Sequence, residues 1–248
     1  MKGFDPIKSW DAESAKRYAT HLRGDEADAA AFLSSYANGE NALEFAIGTG
    51  RIGIPLKEKG VDVHGIEGSP QMIEQLHAHP VGKGIPAVVG DMSIKKIDQQ
   101  FKLVYLVYNT IFNLLTADDQ IRCFENAAHH LTDDGVFVVE TAVPHAWIAP
   151  GKSDYVKAEY VGAAEVGFDV ARYDPATQLF EENHVLITTD GIKMSPIVCR
   201  LITPGEMDLM ARIAGLRLVE RFGDWKRSTF DSNSIAHVSV YELNRDTA

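Results

Sequence analysis

The chain has 248 residues, room for one large domain or two small ones, and its 45% hydrophobic and 24% charged residues describe a globular protein with ample core. A net charge of -11 repels polyanions, and acids interleave the basic residues of 217–227, so no face is offered to phosphates and no nucleic-acid partner is expected. Cys123 and Cys199 each sit in an apolar pattern, as reduced core thiols do, and no C-x-x-C or H-E-x-x-H signals a metal site.

Residues 1–14 lack the apolar core of a signal peptide, and the longest purely apolar run, LVYLVY at 103–108, is far too short to span a bilayer. A cytoplasmic protein without membrane contact is expected. Residues 12–36, polar and alanine-rich, read as one or two helices. NALEFAIG, 41–48, is a short apolar strand that breaks into a glycine loop. Residues 51–59 follow as a helix that tolerates Pro55 only in its first turn and ends at Gly60. VDVHGIE, 61–67, alternates as a strand and stops at an acid. Ser69-Pro70 then opens a helix, serine as cap and proline at the first position.

IPAVVGD, 85–91, is a third strand, and KLVYLVY, 102–108, a fourth, apolar enough to be buried on both faces. Thr116 caps the next helix, where Asp118 and Asp119 suit the positive end and Ile121, Phe124, Ala128 and Leu131 form the inward stripe. His129 and His130, adjacent on that helix, point in different directions and are read as structural. Asp134-Gly135 turns the chain into a fifth strand, VFVVET. This βα alternation requires a parallel sheet with helices on both faces. Residues 145–200 instead hold alternating runs, EVGFDVARY and NHVLITT, separated by turn chemistry, and read as an antiparallel β insertion. TPGEMDLMARIAG is a helix with a capping box from Thr203 and Glu206, and LRLVERF and HVSVYEL close the chain as a hairpin. The expected organisation is one α/β domain, residues 1–144 and 201–248, with the insertion at 145–200.

The glycine loop, EFAIGTGRIG, carries G-x-G-x-x-G at Gly48, Gly50 and Gly53, with Glu67 nineteen residues beyond Gly48. That is the spacing of a dinucleotide site, in which an acid meets a ribose. Glu44 at the strand end argues the other way. A pyrophosphate at the helix N-terminus is repelled by a nearby carboxylate, whereas S-adenosylmethionine carries an ammonium and a sulfonium. Nor does the chain continue as a second βαβαβ half.

Four stretches in order carry a resemblance: ALEFAIGTGRIGIPL, VHGIEGSPQMIEQL, VVGDM and FKLVYLVYNTIFNLL. The chain resembles the class I S-adenosylmethionine-dependent methyltransferases of small-molecule type, including those acting on amino sugars, over residues 40–144 and 201–243. The resemblance implies a Rossmann-like seven-stranded sheet, mostly parallel, closed by a C-terminal antiparallel strand, with S-adenosylmethionine as cofactor. It also implies site residues. The backbone of Ala46, Gly48 and Gly50 would line the methionine and ribose, Glu44 would lie near the ammonium, and Glu67 would take both ribose hydroxyls. Asp91 would accept from the adenine amino group with Met92 on the ring, and Gly68, Ser69 and Met72 would flank the adenosine. Tyr108 and Asn109, ending the fourth strand, would lie near the transferred methyl. Trp10, Arg17 and Tyr18 resemble an aromatic lid. Ala46 departs from the usual first glycine, and Lys102 from an acid at the start of the fourth strand.

Methyl transfer needs a base only when the acceptor is protonated or a weak hydroxyl. Candidates in the insertion are His145, Tyr173 and His184 first, with Tyr155, Tyr160, Arg172 and Arg200. A small-molecule acceptor, no metal and a homodimer through the insertion are the partner expectations. A cofactor-binding protein without transferase activity and an NAD-dependent oxidoreductase stay open as alternatives.

Overall fold

The computed structural model describes residues 1, 3–5, 15, 16, 18, 22–148, 151 and 153–245; Trp10 and Arg17 lie outside the described residues. Helix α1 (Glu26–Ala37) leads into β1 (Asn41–Phe45), α2 (Gly53–Glu58), β2 (Asp62–Glu67), α3 (Pro70–Ala78), β3 (Ala87–Val89), β4 (Phe101–Leu106), α4 (Ala117–His130) and β5 (Leu131–Ala142). After four strands, β6 (Asp154–Val161), β7 (Glu165–Asp174), β8 (Leu179–Thr188) and β9 (Gly191–Arg200), the chain ends in α5 (Pro204–Ile213), β10 (Leu216–Phe222) and β11 (Ala236–Leu243).

Seven strands form one sheet in the order β10-β11-β5-β4-β1-β2-β3. The pairings β3–β2–β1–β4–β5 are parallel, and β11 runs antiparallel to both β5 and β10. The central strands are apolar on both faces because both are covered. Val104 and Leu106 of β4 pack with Phe124 of α4 and Met207 of α5, while Leu103 and Tyr105 pack with Leu33 of α1 and Leu56 of α2. Ser69 and Thr116 cap α3 and α4, accepting from the backbone N–H of Met72 and Asp119.

β6 to β9 form a separate four-stranded antiparallel sheet. The alternating runs named its two inner strands. The outer two carry weaker patterns, and Pro196 in β9 is compatible with a strand that pairs on one side only. β5 starts at Leu131 rather than at Val136, since Phe101 pairs with Leu131 before the register shifts and Leu103 meets Val136. The capping box of α5 is half made. Thr203 accepts from the Glu206 N–H, but the Glu206 carboxylate accepts from Arg200 at 2.7 Å and Gln178 at 2.8 Å. Lys102, out of place for an acid, pairs with Asp134 at 2.5 Å. No helix among the described residues is long and apolar enough to cross a membrane.

Candidate active site

A cavity of about 1860 Å³ lies between the carboxyl ends of β1, β2 and β4 and the inner face of the four-stranded sheet. Ligand pockets commonly measure about 300–1,000 Å³, so this one has room for two small molecules. Of the residues expected to hold the cofactor, Tyr18, Glu44, Ala46, Gly48, Glu67, Gly68, Ser69, Met72, Asp91, Met92, Tyr108 and Asn109 line it. Gly50 does not. A side chain there would meet Leu76 Cδ1 at 2.4 Å, so the packing of the loop on α3 requires glycine at this position (φ +84°).

The loop is built around two buried acids. Glu67 ends β2 with its oxygens accepting from the backbone N–H groups of Ser69 and Gly48, each at 2.8 Å. It is an oriented, buried carboxylate rather than an exposed loop acid, pushed above its ordinary range by burial and drawn back by those N–H groups. Each oxygen keeps a lone pair for a further donor. Glu44 is 2% exposed, accepts from Tyr105 Oη at 2.9 Å, and is pushed up to about 8, first by burial. Its Oε2 sits 2.9 Å from where a Gly53 Cβ would be, so the third glycine of the motif makes room for this carboxylate. A buried acid of this kind beside a glycine cradle fits a ligand that brings a positive charge and not a phosphate.

Ala46 adopts φ +53°, so the departure from glycine costs backbone strain and not merely space, on the order of 1–2 kcal/mol. Tyr108 and Asn109 also stand at φ +59° and +61°. Two consecutive left-handed side chains persist because their surroundings over-determine them. The Tyr108 N–H donates to Glu140 at 2.5 Å, and Asn109 Oδ1 accepts from the Ala142 N–H at 2.5 Å. The guanidinium groups of Arg23 and Arg51 lie over the Tyr108 ring at 4.3 and 5.2 Å, with Tyr18 at 6.3 Å between ring centroids. Arg51 lines the cavity while pairing with Asp25 at 2.9 Å. Asp91 lines the cavity too, but also closes a turn by accepting from Ser93 at 2.8 Å.

Of the base candidates, His145 and His184 line the cavity, as does Tyr155, whose Oη donates to the Trp147 carbonyl at 2.7 Å. The others do not. Tyr173 lines a second, apolar cavity with Pro144 and Phe230. Arg172 pairs with Glu181 on the exposed side of β7, Tyr160 is exposed outside the cavity, and Arg200 is buried against Gln120 and Glu206 as a structural clamp. His130, read as structural, faces the Asn126 carbonyl at 2.7 Å and the Ile97 N–H at 2.9 Å.

Sequence reasoning missed Arg51, Glu140, Asp169 and Glu182. Asp169, Glu182 and His184 place one ligand-type atom each within 4.8 Å of one another on the cavity side of β7 and β8. The i, i+2 spacing of Glu182 and His184 puts both on one strand face, a signal present in the sequence; Asp169 joins them only through the β7–β8 register.

Residues 42–135 match the family of methyltransferase domains. The chain is similar to the CcbJ methyltransferase from Streptomyces caelestis, at 32% identity over 97% of this chain and 99% of that one, with a TM-score of 0.88. Two more distant structures share the fold. An S-adenosylmethionine-dependent methyltransferase from Clostridium acetobutylicum is 15% identical over 93% of this chain and 98% of that one, with a TM-score of 0.79. CalS10, an amino pentose methyltransferase from Micromonospora echinaspora, is 21% identical over 92% and 95%, with a TM-score of 0.67. No curated protein matches the chain.

Proposed function

The chain belongs to the class I S-adenosylmethionine-dependent methyltransferases, and from that premise we propose that it methylates a small-molecule acceptor at N or O, held between the seven-stranded and four-stranded sheets. The nicotinamide reading of the glycine loop is set aside by that membership. The observation that carries the proposal is the single cavity lined by Glu67, Asp91 and Tyr108 at one side and by Tyr155, Glu182 and His184 at the other.

When bound, S-adenosylmethionine supplies an electrophilic methyl carbon on a sulfonium leaving group. Glu67 would hold the ribose hydroxyls and Asp91 the adenine amino group, with Met72 and Met92 beside the base. Glu44 would meet the ammonium, and Gly48 would let the loop backbone approach the ligand. Tyr108, Trp147 and Phe180 keep water from the transfer site, and the fixed backbone at Asn109 orients it.

The β insertion, residues 145–200, roofs the acceptor. Its outer face supports a homodimer. Val161, Val170 and Ile192 are 43–77% exposed there, and the Asn183 Oδ1 atom is buried without a partner among the described residues. Buried, unpaired Cys123 and Cys199 suit a reducing compartment such as the cytoplasm. The net charge of -11 disfavours nucleic acid.

Cofactor titration tests the reading. S-adenosylmethionine should stabilise the fold by about 2.7 kcal/mol at a hundredfold excess over its Kd, with no effect from NAD. A shift with NAD and none with S-adenosylmethionine would reverse it.

A further inference from the structure

The inner face of the four-stranded sheet is ordered in cross-strand rows, and their order tells which charged group lies nearest the core. Phe180 and Cys199 are in register. The Phe180 ring lies 5.7 Å from Trp147, Trp147 lies 5.5 Å from Phe112, and Cys199 Sγ is 3.9 Å from Asn113 Oδ1. Phe112 and Asn113 belong to the turn that directly follows Tyr108 and Asn109. One same-face step out, about 7 Å at the rise of a strand, is the row Tyr155, Ala171, Glu182 and Ile197. The next row is Lys157, Asp169, His184 and Ser195. Glu182 is therefore the charged side chain of this face closest to the core.

Its carboxylate is poorly served. Its row neighbours are Ala171 and Ile197, and among the described residues no hydrogen-bond donor reaches its oxygens. His184 Nε2 is the nearest polar partner at 3.4 Å. Burial pushes the Glu182 carboxyl above its ordinary range; His184 and, more weakly, Lys157 oppose this, while Asp169 and Glu159 reinforce it. His184 is fixed from behind by Asp169, 8% exposed, with Oδ1 at 2.5 Å from Nδ1. Lys157, one row out, is engaged with Glu159 at 2.5 Å. A half-buried carboxylate beside the rings of Tyr155, Trp147 and Phe180, short of a donor and facing the cavity, matches a cationic donor on an apolar stem.

We propose that Glu182 is the residue that selects the acceptor, accepting a hydrogen bond from a donor head group, an ammonium before a hydroxyl, and rejecting carboxylates and phosphates. His184 and Asp169 are its positioning residues. This rests on the methyltransferase reading above. It also gives the net charge of -11 a use, since a negative protein draws cations toward its clefts.

Matched probes test it without knowledge of the natural acceptor. The protein saturated with S-adenosylhomocysteine is titrated with benzylamine, benzyl alcohol and benzoate. Wild type should bind benzylammonium at least tenfold more tightly than benzoate, with the alcohol between. Glu182→Gln should lose at least tenfold in benzylammonium affinity, and Glu182→Asp should recover part of it. S-adenosylhomocysteine affinity should be the same in all three proteins, which certifies the fold. Unchanged benzylammonium binding in Glu182→Gln, a preference of wild type for benzoate, or no uptake of benzylammonium by wild type would each overturn the assignment. If S-adenosylhomocysteine itself did not bind, the methyltransferase reading would fail, and this inference with it.

Discussion

Replacing Glu44 with glutamine turns the buried acid of the glycine loop into a measurable pH dependence. In the folded chain this carboxyl is pushed up to about 8 by burial, against an ordinary value of 4.5. A folded-state pKa above the unfolded one means that the folded chain holds the extra proton. The associated stability is therefore full below pH 4.5 and lost as pH rises toward 8. Between pH 5 and pH 8 the two values give a loss of roughly 3–4 kcal/mol at about 1.4 kcal/mol per pKa unit. No discount for solvent applies, because the side chain is 2% exposed. Glutamine keeps a neutral partner for Tyr105 and removes the titration. Urea unfolding of both proteins at pH 5, 6, 7 and 8 isolates the effect, since other raised acids such as Glu67 and Glu140 are common to both. The stability difference between wild type and Glu44→Gln should change by those few kcal/mol across the series, in favour of the variant at high pH. A difference constant to within about 0.5 kcal/mol would refute the claim that burial holds the Glu44 carboxyl above its ordinary range.

Three further outcomes are expected. Glu67→Ala removes charge-assisted hydrogen bonds worth roughly 1.5–3 kcal/mol each, so S-adenosylmethionine affinity by calorimetry should fall at least tenfold while the apo protein still melts cooperatively. Ala46→Gly relieves the left-handed backbone at φ +53° and should raise stability by about 0.5–1.5 kcal/mol, read as a higher urea midpoint at unchanged slope. His237, held down to about 3 by burial and then by Arg221, must stay neutral in the fold, so stability should fall as pH drops below about 6.5. From pH 7 to pH 5 wild type should lose about 2 kcal/mol more than His237→Gln, and equal losses would contradict the burial of that ring.

What the sequence made legible follows from how local each signal is. The glycine loop, the acid ending β2 and the caps at Ser69 and Thr116 are read within a few residues, because a positive φ or an unsatisfied N–H demands a particular residue at a particular place. The βα alternation carried the sheet for the same reason. The jobs of individual glycines were not local. Gly50 and Gly53 face Leu76 and Glu44, which only the packed loop brings near. The insertion was least legible. Its strands alternate, but which alternate set faces the cavity depends on pairing, and a slip of one residue exchanges the sets. Arg172 and Arg200, of the opposite set, thus passed as base candidates, whereas Tyr173 shares the set of Asp169 and Ala171 but lies opposite Phe180, at the second cavity. Glu182 was legible only through its i, i+2 spacing to His184.

The most direct test of the site as a whole is a crystal structure grown with S-adenosylhomocysteine. The ribose hydroxyls should lie on the Glu67 carboxylate, the amino group toward Glu44, and the sulfur toward Tyr108 and Asn109, beneath the sheet that carries Glu182 and His184. A nucleoside bound away from Glu67, or a four-stranded sheet standing at the opposite edge from the sulfur, would contradict the account.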